Sequence, residues 1–179
     1  MTPAWRNRVI GLVFAAVIYV VDQYVKGLMI GPLDLRNQPG GRIELLPFFA
    51  LNWTENPGVS LGMFEATSPE MRWGLVAVTG VIALVVLVWM LREKLLGDIL
   101  GLSMILGGAA GNIMDRYLYG YVVDFADLHI GDFRPFLVFN IADAAITIGV
   151  LIILARALFM RDKTGDAISE NAAEEAAET

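Results

Sequence analysis

Four apolar runs, at 9–30, 71–91, 95–114 and 136–160, constrain this chain more than any other feature. Each is long enough to cross a hydrocarbon core of ~30 Å as a helix. Backbone that crosses lipid must satisfy its own hydrogen bonds, so the runs predict helices and place other structure outside the bilayer. Composition agrees. Of 179 residues, 56% are hydrophobic and 18% charged, where a soluble domain carries about 25% charged residues. The expected fold class is an all-α membrane protein with four transmembrane helices. It forms one integral domain over 1–163 and ends in an acidic, disordered tail over 164–179, rich in Ala and Glu.

The basic start and first apolar run imitate a signal peptide. Cleavage is not expected, because the run continues through Asp22, Gln23 and Lys26 without a small-x-small site before a soluble domain. Between the first two spans, Ile43 and Leu45, then Phe49, Leu51 and Trp53, alternate with period two. That predicts short strands in a small sheet on the membrane surface, over about 33–66. Asn56-Pro57-Gly58 is a turn signal. Ser68-Pro69 predicts the start of the second helix, with Ser68 as its cap. Trp73 and Trp89 fall near its ends, where an aromatic belt would place them. The third run contains the small-xxx-small pairs Gly97/Gly101 and Gly107/Gly111, which predicts a central, closely packed helix. Residues 117–135 read as a loop, with His129 exposed in it.

Four spans put both termini on one side. Seven basic residues fall there (Arg6, Arg8, Arg92, Lys94, Arg156, Arg161 and Lys163) and six on the other, but the first set crowds the span ends. The positive-inside bias then places the termini in the cytoplasm. Asp22, Asn56, Asn112, Arg116, Asp124, Asn140 and Asp143 all arrive at the outer membrane boundary. Such convergence from separate stretches points to a site.

Among these residues, Asp124 and Asp143 stand inside the hydrophobic words VVDF and FNIAD. A carboxylate in apolar surroundings is costly unless paired, protonated or functional. Several of the other polar residues admit an ordinary reading. Asp22 and Lys26, at i and i+4, suit a boundary ion pair. Asn56 suits a turn, and Asp115 with Arg116 suits a boundary charge pair. Asn140 and Asp143 are expected on one face, a turn or two inside the fourth helix. With no cysteine and one histidine, thiolate nucleophiles and cysteine metal sites are excluded and a Ser-His triad is hard to build. No metal or cofactor is expected. Two aspartates suffice to hydrolyse an amide: one takes a proton from water, and the other, protonated, supports the carbonyl oxygen. On the residues alone, a carboxylate-lined ion or proton pathway stands beside that reading. A structural membrane protein, its polar residues merely tying helices together, is a further rival.

The words DQYVK at 22–26, ENPG at 55–58, GNIMDR at 111–116, VVDF at 122–125 and FNIAD at 139–143, in that order, resemble lipoprotein signal peptidase (signal peptidase II). The resemblance covers roughly 9–160. It implies a small extracytoplasmic β-cradle with a short helix or loop beside it, in the bacterial cytoplasmic (inner) membrane. It implies substrates that are diacylglyceryl-modified prolipoproteins, met among membrane lipids and cut just before the lipidated cysteine. Asp124 and Asp143 fall on the family's catalytic aspartates. Asp22, Lys26, Asn56, Gly58, Asn112, Asp115, Arg116, Asn140 and Ala142 fall on motif positions that support the pair or line the substrate pocket. The family is the target of globomycin, so binding of that antibiotic is expected, and nucleic acid is not a partner. Val59-Ser60-Leu61 and Ala144 depart from the family's pattern.

Overall fold

The computed structural model describes residues 3–58, 68–131 and 133–159. In chain order it contains α1 (Pro3–Ile30), two short 3-10 turns (Leu35–Asn37 and Pro39–Gly41), β1 (Arg42–Leu46) and β2 (Phe49–Asn56). α2 (Pro69–Arg92), α3 (Leu96–Leu118), β3 (Val122–Leu128) and α4 (Ile141–Phe159) follow. All four helices are long and apolar enough to cross a membrane.

α3 is the centre of the bundle and packs against each of the other three helices. Its small residues make this possible. A Cβ on Gly107 would lie 2.5 Å from the Ala15 carbonyl oxygen of α1, and one on Gly108 would collide with that of Ala142 in α4. In lipid, where apolar side chains gain nothing by leaving solvent, such close backbone approach is what holds helices together.

One end of the bundle carries the loop at 93–95. There Asn7 Nδ2 donates to the Lys94 carbonyl at 3.0 Å, and Arg156 forks onto Asp98 at 2.6 and 3.1 Å. The other end carries the sheet, antiparallel in the order β1-β2-β3. Opposite each other stand Thr54 and Asp124, and Ala50 and Asp127. Met29, Leu35, Leu51, Phe125 and Ala126 form a small core between the sheet and the end of α1. Ser68 Oγ accepts from Met71 N at 3.3 Å, the cap expected of Ser68-Pro69.

Three expectations change. The segment 117–135 is not all loop: α3 runs on to Leu118, and β3 occupies Val122–Leu128. Gly120, at φ 91°, makes the turn between them. Nearly all of β3 is buried on both faces, so it lacks the alternation that marks a half-exposed strand. α4 begins at Ile141 rather than near 136, because 133–139 leads up to it as non-helical chain tied to the sheet at Phe139. Phe139 O accepts from Phe125 N and Ala126 N at 3.1 and 2.7 Å, and Phe139 N donates back to Ala126 O. Asn140 therefore stands just before the helix and Asp143 in its first turn, not one or two turns inside. Finally, His129 is buried, with Arg42 Nη2 3.3 Å from its Nε2. The tail at 164–179 and the Val59-Ser60-Leu61 departure lie outside the described residues.

Candidate active site

The start of α4 builds the site. Asn140 Oδ1 accepts from Asp143 N at 2.8 Å, and Asn140 N donates back to Asp143 Oδ2 at 3.3 Å. This reciprocal capping satisfies amides that a helix leaves orphaned, and it fixes the Asp143 carboxylate against the helix end. The same Asn140 donates from Nδ2 to Asp124 Oδ1 at 2.7 Å. One residue thus binds both acids, Asp124 through its side chain and Asp143 through its backbone N. Asn56, at the end of β2, gives Asp124 its second donor, Nδ2 to Oδ2 at 3.1 Å, and accepts from Gly58 N on its other side. Asn112 of α3 gives Asp143 its second, Nδ2 to Oδ1 at 2.8 Å.

Asp124 is 2% exposed. Burial, reinforced by the neighbouring charge of Asp143, pushes its carboxyl up to about 7, against the donors Asn56 and Asn140, which favour the ion. It therefore takes up and gives up a proton near neutrality.

Beneath the pair lies a layer of buried charge. Lys26 Nζ stands 2.8 Å from both Asp22 Oδ2 and Asp115 Oδ2, and 3.2 Å from Asn112 Oδ1. A lysine can only donate, so Asn112 presents its oxygen to Lys26 and its NH₂ to Asp143. Asp22 Oδ1 accepts from Ala142 N at 2.9 Å, and Asp115 Oδ2 from Val123 N at 3.1 Å. The two acids tie the backbones on which Asp143 and Asp124 ride. Ala142 is itself fully buried, its methyl within reach of Gly111. The boundary-pair readings of Asp22 with Lys26 and of Asp115 with Arg116 give way to burial: all four are at most 7% exposed. Arg116 donates from Nη2 to the Gly58 carbonyl at 2.7 Å. Every site residue singled out in the sequence is thus brought into one assembly.

Two participants were missed. Gln23 Nε2 donates to Asp115 Oδ1 at 2.9 Å and to Asp22 Oδ2 at 3.2 Å. Its signal was present, an amide inside an apolar run. Thr79 of α2 lines the groove beside the acids while its hydroxyl bonds back to Leu75 O at 2.7 Å. A second polar cluster lies in the sheet, where Asp127 is clasped by Arg42 and Arg134. Burial works against its charge, but the bonds from Arg134 and Arg42 outweigh it and hold the carboxyl below its ordinary range. Among the described residues, no group of three or more metal-ligating side chains is arranged to hold an ion.

A cavity of about 220 Å³ reaches Asp143 of the pair. Asn56, Asn112, Arg116 and Asp143 are its polar lining, and Ile82, Ile105, Ile113 and Ile146 part of its apolar lining. Such an arrangement can support amide hydrolysis: a carboxyl raised towards neutrality, a second carboxyl beside it, and an apolar wall.

These features define a helical membrane protein with a pair of acids at the sheet end of its bundle. The chain belongs to the signal peptidase family described as Signal peptidase (SPase) II, whose pattern matches residues 14–159. It is 57% identical over 157 residues to a lipoprotein signal peptidase of Sphingopyxis alaskensis, covering 88% of this chain and 90% of that one. It is 52% identical over 156 residues to one of Rhizorhabdus wittichii, covering 87% and 90%. A bacterial membrane enzyme solved by the in meso method at 2.3 Å resembles it with a TM-score of 0.72 at 26% identity, over 87% of this chain and 90% of that one.

Proposed function

We propose that this signal peptidase is an aspartyl endopeptidase that removes signal peptides from diacylglyceryl-modified prolipoproteins, cutting just before the lipidated cysteine. The observation that carries the reading is Asn140, bonded at once to Asp124 and to Asp143, the acid that lines a largely apolar groove. The pair shares one proton. The ionised member takes a proton from a water, whose oxygen attacks the scissile carbonyl carbon. The protonated member donates to the carbonyl oxygen. As the tetrahedral intermediate collapses, the C–N bond breaks and the amine of the new N-terminal cysteine leaves with a proton from the pair. The proton belongs to the pair, not to one aspartate. Asp22, Lys26, Asp115 and Gln23 hold the backbones that carry the acids. Arg116 and Gly58 shape the groove mouth.

The reading extends to placement. The protein is a single integral domain over 1–163 with a tail at 164–179. It lies in the cytoplasmic membrane of a bacterium with its termini inside and the acids near the outer face. The diacylglyceryl group keeps the substrate in the bilayer, at ~0.8 kcal/mol per buried CH₂, so enzyme and substrate meet by lateral diffusion. Globomycin binds the protein.

The test is cleavage of a diacylglyceryl-modified prolipoprotein by purified protein in lipid, with Asp124→Asn and Asp143→Asn alongside. Each substitution is expected to abolish turnover while the protein stays folded. Near-normal turnover by either variant would remove the pair from the chemistry.

A further inference from the structure

α2 is the element that the chemistry above leaves nearly untouched. It packs along α3 and only lightly against α1. A groove flanks it on each side. Thr79 and Ile82 wall the catalytic cavity, whereas Val76, Gly80 and Ala83 face a wider apolar groove of about 540 Å³ between α1, α2 and α3. In lipid the tilt of a helix is set by its packing against neighbours and by anchoring residues at the interface, and α2 packs mainly on one side. The width of the catalytic groove therefore depends on what pins α2.

The pin is Arg72, in the first turn of α2. Its Nε donates to the Arg116 carbonyl at 2.7 Å, and its Nη2 donates to the Tyr117 carbonyl. These are last-turn carbonyls of α3, which have no partner within the helix. A cation at this negative end is favoured as well. The guanidinium lies 5.3 Å from the ring centre of Trp73, whose ring meets Tyr117 edge-on at 5.9 Å. Gly120 completes the seat: a Cβ there would come within 3.3 Å of Arg72 Nη1. The residue held by its carbonyl, Arg116, is the one whose side chain grips Gly58 at the groove mouth. Thr79 follows Arg72 by seven residues, so it lies about two turns below on the same face. Arg72 and the groove wall thus share one face of α2.

We propose that Arg72 is a positioning residue for the substrate: its fork from α2 onto the end of α3 sets the width of the catalytic groove and the placement of Arg116. The proposal rests on the peptidase reading above. Arg72 touches neither acid. Its loss should therefore weaken substrate binding and leave the chemical step and its pH dependence in place.

The experiment compares wild type, Arg72→Lys and Arg72→Met, full length in lipid vesicles. For Arg72→Met, KM should rise about tenfold, the worth of one charge-assisted hydrogen bond, with kcat and the pH profile little changed. Arg72→Lys keeps one bond and the charge but loses the fork, so its KM should fall between the two. A lowered kcat at unchanged KM, a displaced pH profile, or wild-type values throughout would overturn the proposal. A second measurement does not depend on peptidase activity. The chain has no cysteine, so Val78→Cys on α2 and Ile148→Cys on α4, both exposed, can carry a pair of spin labels. Arg72→Met should broaden their distance distribution, and an unchanged distribution would overturn the clasp. If wild type failed to cleave while the distances broadened, the peptidase reading would fall and the clasp would stand.

Discussion

Asn140 shows how much one residue can decide. It caps α4, bonds both acids and has its amide wholly buried. Asn140→Ala should cost about 1 kcal/mol as a lost cap and more for the donor removed from the buried Asp124 carboxylate. Activity should fall at least about a hundredfold, since both acids lose orientation. A melting curve and an initial rate on the same preparation check the two effects separately. Asp124 yields a pH prediction. Its carboxyl is raised from 3.8 to about 7 on folding, so the folded protein binds more protons than the unfolded chain between those values. Stability therefore falls as pH rises from about 4 to about 7, by a few kcal/mol, and stays lower above that. Asp124→Asn cannot lose a proton. Its melting temperature should fall less than that of wild type between pH 5 and pH 8. An equal fall in both would show that Asp124 does not titrate there. At this scale the sequence was legible where an acid or amide interrupted an apolar word, as at Asp22, Asp124 and Asn140. His129 was not legible, since its burial depends on Arg42 from a strand distant in sequence.

At the scale of elements, the spans could be read because lipid leaves the backbone few alternatives. β1 and β2 could be read because Ile43 and Leu45, then Phe49, Leu51 and Trp53, recur at every second residue. β3 could not, because α3, the lead into α4 and β2 enclose it, and VVDFADL carries no period for a buried strand to display. The start of α4 was misplaced for a related reason. Phe136, Leu137 and Val138 suit a helix by composition, but the residue bonded to the sheet is Phe139, so the helix waits until Ile141. The glycines of α3 were read correctly as packing positions, and they give a prediction. In Gly108→Leu the side chain must displace the Ala142 carbonyl and the Ile146 side chain. Overpacking of this kind costs roughly 1–3 kcal/mol, and here it pushes on the helix turn that carries Asp143. Turnover should be lost at temperatures where the protein remains folded, measured by cleavage beside a thermal melt. Leu at Gly74, where a Cβ meets nothing within 4 Å, is the control and should leave both unchanged.

Across the whole molecule, hydropathy fixes where the bilayer lies and the sheet then has to meet it. Trp73, Tyr117 and Tyr119 are exposed at the sheet end of α2 and α3, the place of an aromatic belt. The α4 flank has no Trp or Tyr near its start. In their place stand Phe48, Ile130, Phe133 and Phe136, all more than half exposed. His129 N donates to Phe48 O at 3.0 Å, which holds the β1–β2 turn onto this loop, and Phe136 precedes α4 by five residues. That chain can reach at most ~18 Å from the helix start, so Phe136 lies close to the membrane boundary. An exposed apolar patch beside a bilayer gains by dipping into it, at ~25 cal/mol per Å² covered. The sheet is therefore expected to rest with this tip among the acyl chains and with Arg36, 64% exposed at its side chain, in water. Spin labels on Phe133→Cys and Phe48→Cys should collide more often with oxygen, which concentrates in lipid, than with a water-soluble nickel chelate. A label on Arg36→Cys should show the reverse. If the labels at 48 and 133 instead met the chelate as freely as the one at 36, the sheet would stand clear of the membrane. The acids would then be reached from water rather than from lipid.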